Sequence, residues 1–218
     1  MKTNPPRASM PSPYHKPTHL PTSRSSLRDQ MRALRRGLGD VAQREAAARL
    51  ARIMGRTPLF RRSRHIAFYL ANDGELDPAI LLQRAWDMRK VCYLPVITPG
   101  QRLWFAPYEE GDPLSLNRFG ILEPMRPGLT LVSARALDLI LTPLVVFDDR
   151  GHRLGMGGGF YDRTLAFLLQ RRAWRKPRLM GVAHDLQRVP ALRTEAWDVP
   201  LDAVATDRCV YHFDAIRA

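Results

Sequence analysis

The chain has 218 residues, 45% of them hydrophobic and 25% charged, with a formal net charge of +13. That size and apolar share suit one α/β domain with a core of its own, so metal or disulfide staples are not needed to hold it. Its two cysteines form no zinc spacing or disulfide framework, no apolar run approaches the ~20 residues of a membrane span, and no secretory pattern opens the chain, so a cytoplasmic protein without a membrane partner is expected.

Residues 1–26 hold six prolines and four basic residues, Lys2, Arg7, Lys16 and Arg24, with no acid. Such a segment buries too little surface to offset its ordering entropy, so residues 1–23 are expected to form a disordered basic tail ahead of a single domain at 24–218. Residues 27–56 add eight arginines against Asp29, Asp40 and Glu45. A basic N-terminal region attracts polyanions in general, and charge alone does not choose among them.

Leu27 to Gly37 reads as an arginine-rich helix, and Asp40 as the cap of a second over Val41–Met54. His65–Leu70 is a strand pattern followed by the turn Asn72-Asp73-Gly74. Asp77 and Pro78 then read as the cap and first residue of a helix reaching about Arg89. Val91–Val96 and Leu103–Tyr108 are strand patterns, Cys92 being a buried thiol in the first. Leu137–Phe147 is the most apolar run and the expected central strand, buried on both faces. A glycine-rich loop, a helix from about Gly159 to Gln170, and short strands at Leu179–Ala183 and Ala203–Ala205 complete the pattern. Alternating strands and helices predict an α/β sheet with helices on both faces.

The richest segment runs from Arg153 to Arg163, with glycines at 155, 157, 158 and 159. Glycines let backbone N–H groups approach an anion with no Cβ in the way, and a helix beginning near Gly159 would point its free amides at the same place. Arg153 would add a fork of donors for phosphate oxygens, and Asp162 could hold a Mg²⁺ bound to them. The spacing is not the dinucleotide G-x-G-x-x-G, whose third glycine would fall on Phe160, nor a P-loop, which needs G-K-[S/T]. Four glycines in five positions exceed the needs of a turn, since each costs ~0.5–1 kcal/mol relative to alanine. The loop therefore predicts a phosphate or another anion, and nothing narrower.

The stretch Leu141–Arg163 (LTPLVVFDDRGHRLGMGGGFYDR) resembles the signature of the 5-formyltetrahydrofolate cyclo-ligases. In the same order as that family follow Ser26-Leu27-Arg28, Asp73-Gly-Glu-Leu-Asp77, Tyr93-Leu-Pro95, Phe119-Gly-Ile-Leu-Glu-Pro124, Gly181-Val-Ala-His-Asp185 and Glu195-Ala-Trp-Asp-Val-Pro200, spanning roughly residues 24–206. The resemblance implies a three-layer α/β/α domain, a mostly parallel sheet, and ATP and folate sites in one cleft at the strand ends. It implies conversion of 5-formyltetrahydrofolate and MgATP to 5,10-methenyltetrahydrofolate, ADP and phosphate, through a phosphorylated formyl intermediate. Arg153 and Asp162 would be the catalytic pair. Arg153, Leu154, Gly155, Met156, Gly157, Gly158, Gly159, Phe160, Tyr161 and Asp162 would hold the nucleotide, Met156 through its backbone alone. Arg24 and Arg28, one helical turn apart, would reach it from the N-terminal helix, although the family usually has lysine where Arg24 stands. Asp162 and Asp198 would anchor Mg²⁺. Leu70, Glu75, Phe119 and Tyr161 would surround the folate, with Glu75 on the pterin.

Plainer readings stand beside these. Arg28 could be one of many solvated arginines, Asp198 an exposed turn residue, Glu75 a surface acid and Tyr161 a packing aromatic. His184, at the end of a strand, reads as a satisfied structural histidine at least as readily as a catalytic one, and His152 reads as exposed. A basic ATP- or nucleic-acid-binding module without folate chemistry and a sugar-phosphate isomerase remain as other functions, although no nucleic-acid motif is present. A monomer or weak dimer is expected.

Overall fold

The computed structural model describes residues 23–125, 128, 130–170 and 176–213. The expected tail lies almost wholly outside them. Two helices, α1 (Arg24–Arg36) and α2 (Asp40–Met54), lead into a short α3 (Pro58–Arg62). Ser23 caps α1 by accepting the Ser26 N–H at 3.0 Å, as serine does where the first turn leaves amides unpaired. The cap of α2 is Gly39 rather than Asp40, which occupies the first turn and complements the helix dipole there.

The strands are β1 (His65–Ala67), β2 (Val91–Thr98), β3 (Arg102–Pro107), β4 (Leu114–Leu116), β5 (Leu122–Pro124), β6 (Leu139–Pro143), β7 (Val146–Asp148), β8 (Arg153–Leu154), β9 (Arg178–Val182), β10 (Arg188–Val189), β11 (Ala203–Ala205) and β12 (Val210–His212). Helices α4 (Ala79–Asp87) and α5 (Phe160–Leu165) lie between them. The main sheet has the order β12-β11-β9-β6-β1-β2-β3. Its centre, from β11 to β2, is parallel, and β12 and β3 join antiparallel at the edges. The observed architecture is the expected three-layer α/β/α sandwich with a mostly parallel sheet.

Alternation along the strands feeds two cores. Leu139 and Leu141 join Ile66, Leu94 and Met180 against Leu50 and Met54 of α2 and Leu81 of α4. Ile140 faces the other way with Ala67, Leu179 and Val204, against Leu165 and Leu168. Residues 139–141 are fully buried, and each such side chain contributes about 1.5–3 kcal/mol.

The run Leu137–Phe147 is two strands, not one. Pro143 ends β6, and β7 belongs to a separate sheet of order β10-β7-β8. Between them the Leu144 carbonyl accepts from Arg35 Nη1 at 3.2 Å and Gln187 Nε2 at 2.9 Å, and the Val145 carbonyl from Gln187 at 2.9 Å. Side chains thus satisfy buried carbonyls that no ladder serves, and the chain can leave the main sheet. Helix α1 packs on the small sheet through Leu27 and Met31, against Val145, Val146, Leu154 and Val189. The predicted helix from Gly159 to Gln170 is also shorter: α5 stops at Leu165 and a 3₁₀ turn follows at Ala166–Leu168. At α4 the N-cap is Pro78, with Asp77 Oδ1 accepting the Ala79 N–H from outside, at 2.9 Å.

Candidate active site

The β7–β8 hairpin presents the glycine loop. Its turn is built on Asp148, which accepts the backbone N–H groups of Arg150 and His152, each at 2.9 Å, and contacts His152 Nδ1 at 2.9 Å. His152 is therefore a turn-fixing residue and not the exposed one expected from sequence. Strand β8 delivers Arg153 inward, where it is buried. Its guanidinium donates to the Val199 carbonyl and, at 2.5 Å, to Asp162 Oδ1. Burial lowers the Arg153 pKa, while Asp162 and then Asp198 oppose that shift, so both carboxylates bear on this cation.

Beyond β8 the loop turns back through Gly157 at φ +101° and Gly159 at φ +65°, conformations that a side chain would strain. Among the described residues, the N–H groups of Met156 to Gly159 donate to no protein acceptor. Arg28 lies beneath, its Nε donating to the Gly155 carbonyl at 2.8 Å. Arg24, one turn earlier, forms a two-pronged pair with Asp198 at 3.0 and 3.4 Å. Asp162 Oδ1 also accepts the Val199 N–H at 3.2 Å. Arg24, Arg28, Arg153, Asp162, Asp198 and Gly155–Gly159 thus form one connected constellation. Asp198 is not an exposed turn residue, its side chain being 11% accessible. Helix α5 has six residues, so its dipole adds little, and any anion there would be met by free loop amides and arginines.

Glu75 lies in the turn after β1 with its side chain 12% accessible, not as a surface acid. Burial pushes its pKa up to about 7, against the opposing charge of Arg35 and the Asn72 backbone N–H. Tyr161 faces it: burial and the Glu75 charge both raise the phenol pKa. Leu70 packs against the α2–α4 core. Phe119 is exposed and meets Phe160 edge to face at 5.5 Å. No contact joins Phe119 to Glu75 among the described residues.

Two arginines escaped the sequence reading, and His184 was read there without its partner. Arg35 is fully buried and donates through Nε to the Asp73 carbonyl and through Nη2 to Asp73 Oδ2, both at 2.8 Å. Arg32 binds the same carboxylate oxygen at 2.7 Å, and these arginines hold the Asp73 carboxyl below its usual range. His184 is buried with its ring hydrogen-bonded to the Gly74 backbone, and burial lowers its pKa to about 4. Its Nε2 has no partner among the described residues. The available signal was position: Arg35 falls on the buried stripe Leu27–Met31, where a solvated arginine does not belong.

Fold and site together describe an α/β domain with a glycine loop of unpaired amides flanked by arginines, and the comparisons give its family. A profile of the 5-formyltetrahydrofolate cyclo-ligase family matches residues 21–207. A 5-formyltetrahydrofolate cyclo-ligase of Escherichia coli is 40% identical over 187 residues, 84% of this chain and all of the relative. One from Haemophilus influenzae is 37% identical over 82% of this chain and 94% of its own. The NMR structure of Aquifex aeolicus 5,10-methenyltetrahydrofolate synthetase superposes with a TM-score of 0.74 at 30% identity, covering 89% of this chain and 95% of that one. The chain belongs to the 5-formyltetrahydrofolate cyclo-ligase family.

Proposed function

We propose that the protein closes 5-formyltetrahydrofolate to 5,10-methenyltetrahydrofolate, using ATP and Mg²⁺ and releasing ADP and phosphate. One observation carries this reading: Arg35 Nη2 lies 3.6 Å from Glu75 Oε1 and 3.9 Å from Met156 Sδ, so the glycine loop and the buried acid are neighbours across one guanidinium. A triphosphate on the loop and a folate on Glu75 would then meet.

An amide-like formyl oxygen leaves carbon only once it is phosphorylated. The formyl oxygen attacks the γ-phosphorus, the bond to the β-phosphate oxygen breaks, and ADP departs. N10 then attacks the activated carbon and loses its proton, the C–O bond breaks, and phosphate leaves with the former formyl oxygen. Phosphoryl transfer of this kind is catalysed by alignment and charge neutralisation. The amides of Met156–Gly159 would orient the phosphates, Arg28 and Arg153 would neutralise them, and Glu75 would accept from the amino and ring N–H groups of the pterin.

The donor set fits Mg²⁺, which takes one or two carboxylates, phosphate oxygens and water. Asp162 Oδ2 has no protein partner among the described residues, and Asp198 lies beside Val199, which donates to Asp162. When bound, Mg²⁺ supplies charge neutralisation at the phosphates.

The oxygen balance gives a test. With ¹⁸O in the formyl group, the label is expected in the released inorganic phosphate, one atom per turnover; unlabelled phosphate would contradict the phosphorylated formyl intermediate. We also assign the catalytic unit to residues 24–218. A chain lacking residues 1–20 is expected to keep turnover within about twofold of the full chain, since α1 begins at Arg24 with Ser23 as its cap. A tenfold loss would give the tail a part in the reaction.

A further inference from the structure

We propose that Arg35 is a positioning residue for the folate half of the site: a buried cation that aims the Asp73–Glu75 turn and keeps the Glu75 carboxylate charged for its substrate. This rests on reading Glu75 as the pterin contact.

A guanidinium with no exposed surface is costly to bury unless all its donors are used. Arg35 spends them on one feature. Nε and Nη2 hold the carbonyl and carboxylate of Asp73, and Nη1 ties that turn to the Leu144 carbonyl at the end of β6. The turn needs such a clamp because Asp73 sits at φ +52° and Gly74 at φ +74°. A Cβ on Gly74 would come 3.1 Å from the Arg35 carbonyl oxygen, so turn and helix are in direct backbone contact.

A clamp alone would need only Asp73. That carboxylate is shared with Arg32 and Arg36, leaving Arg35 incompletely neutralised, and the next acid it meets is Glu75 at 3.6 Å. This distance is an ion pair without a hydrogen bond, so the Glu75 oxygen keeps its accepting capacity for a ligand. The groups bearing on Glu75 are Arg35 from α1, Asp73 and the Asn72 N–H on its own turn, the buried Tyr69 phenol just after β1, and Tyr161 from α5. Of the charged groups, Arg35 favours the anion and Asp73 opposes it.

The signs therefore predict opposite shifts. Burial holds Glu75 near pH 7, so kcat/KM for the folate is expected to fall tenfold per unit below about pH 7. Arg35→Gln removes the cation, so the break moves to higher pH and the folate KM at pH 7.5 rises about tenfold. Arg35→Lys restores part of both. Asp73→Asn removes the opposing anion, so the break moves to lower pH.

The experiment measures kcat/KM for 5-formyltetrahydrofolate and for ATP from pH 5.5 to 9 on the full chain and these variants, with enzyme-free blanks and circular dichroism. Arg35→Gln with an upward-shifted break and an ATP KM within about twofold of the parent is the expected result. An unmoved break in the folded Arg35 variants, or folate and ATP KM values rising together, would overturn the proposal. If the glutamine variant does not fold, a downward shift in Asp73→Asn still supports it, and none refutes it. Glu75→Gln separates the premise: an unchanged folate KM there would remove Glu75 from the site and the proposal with it.

Discussion

Asp162→Asn is expected to lower turnover by about 10²–10³-fold while the protein stays folded. The substitution keeps the shape and an acceptor oxygen, so the N–H of Val199 and Arg153 Nη2 can still donate to residue 162. It removes the charge. Arg153 is then a buried cation with Asp198 as its remaining acid, at a stability cost of about 1–2 kcal/mol because residue 162 is partly exposed. On the proposed mechanism the reaction loses more, since the carboxylate with an unpaired oxygen beside the glycine loop would hold Mg²⁺ and keep Arg153 on the phosphates. Steady-state turnover at saturating MgATP with a thermal melt checks this. A variant melting within a few degrees of the parent and turning over normally would remove Asp162 from the chemistry.

The second large effect belongs to the loop. Gly157→Val is expected to raise the ATP KM by tenfold or more and to leave the folate KM within about twofold. At φ +101° a valine is strained by about 1–3 kcal/mol, which the exposed loop relieves by changing shape rather than by unfolding the domain. Its Cβ would lie 3.9 Å from the Arg28 guanidinium carbon, so the branched side chain stands over the residue that supports the cradle. Both changes turn the Met156–Gly159 amides from a common point. ATP titration of the variant, with the folate varied separately, tests the claim. An unchanged ATP KM would mean that the nucleotide is held elsewhere.

Much of this arrangement is written locally in the chain. The glycine density at 155–159 and the flanking Arg153 and Asp162 predict an anion-binding loop, and its free amides and turn geometry are legible because glycine's freedom is a property of the residue itself. The i, i+4 spacing of Arg24 and Arg28 likewise puts both on one face, and the structure finds that face turned to Asp198 and Gly155. The layered sheet follows from alternation of apolar runs.

What was not legible depends on partners distant in sequence. The setting of Glu75 depends on the charge of Arg35, some forty residues earlier, and on its coupling to Tyr161 in a later element. The break after Pro143 requires Arg35 and Gln187 to satisfy two carbonyls, and neither residue announces that task. Arg35 looked like any arginine of a basic helix until its neighbours Leu27 and Met31 were seen to be buried. His152, placed in the turn before Arg153, is fixed by Asp148, a partnership that turn position alone does not announce.

The measurement that bears most directly on the account is absorbance at the methenyltetrahydrofolate band, with the purified full chain, 5-formyltetrahydrofolate, ATP and MgCl₂, and parallel mixtures lacking ATP, metal or protein. Growth of the band in the complete mixture, and none above the protein-free blank when ATP or metal is left out, is the predicted result. A flat trace from folded protein that binds ATP would contradict the folate ring closure and leave the glycine cradle serving another acceptor.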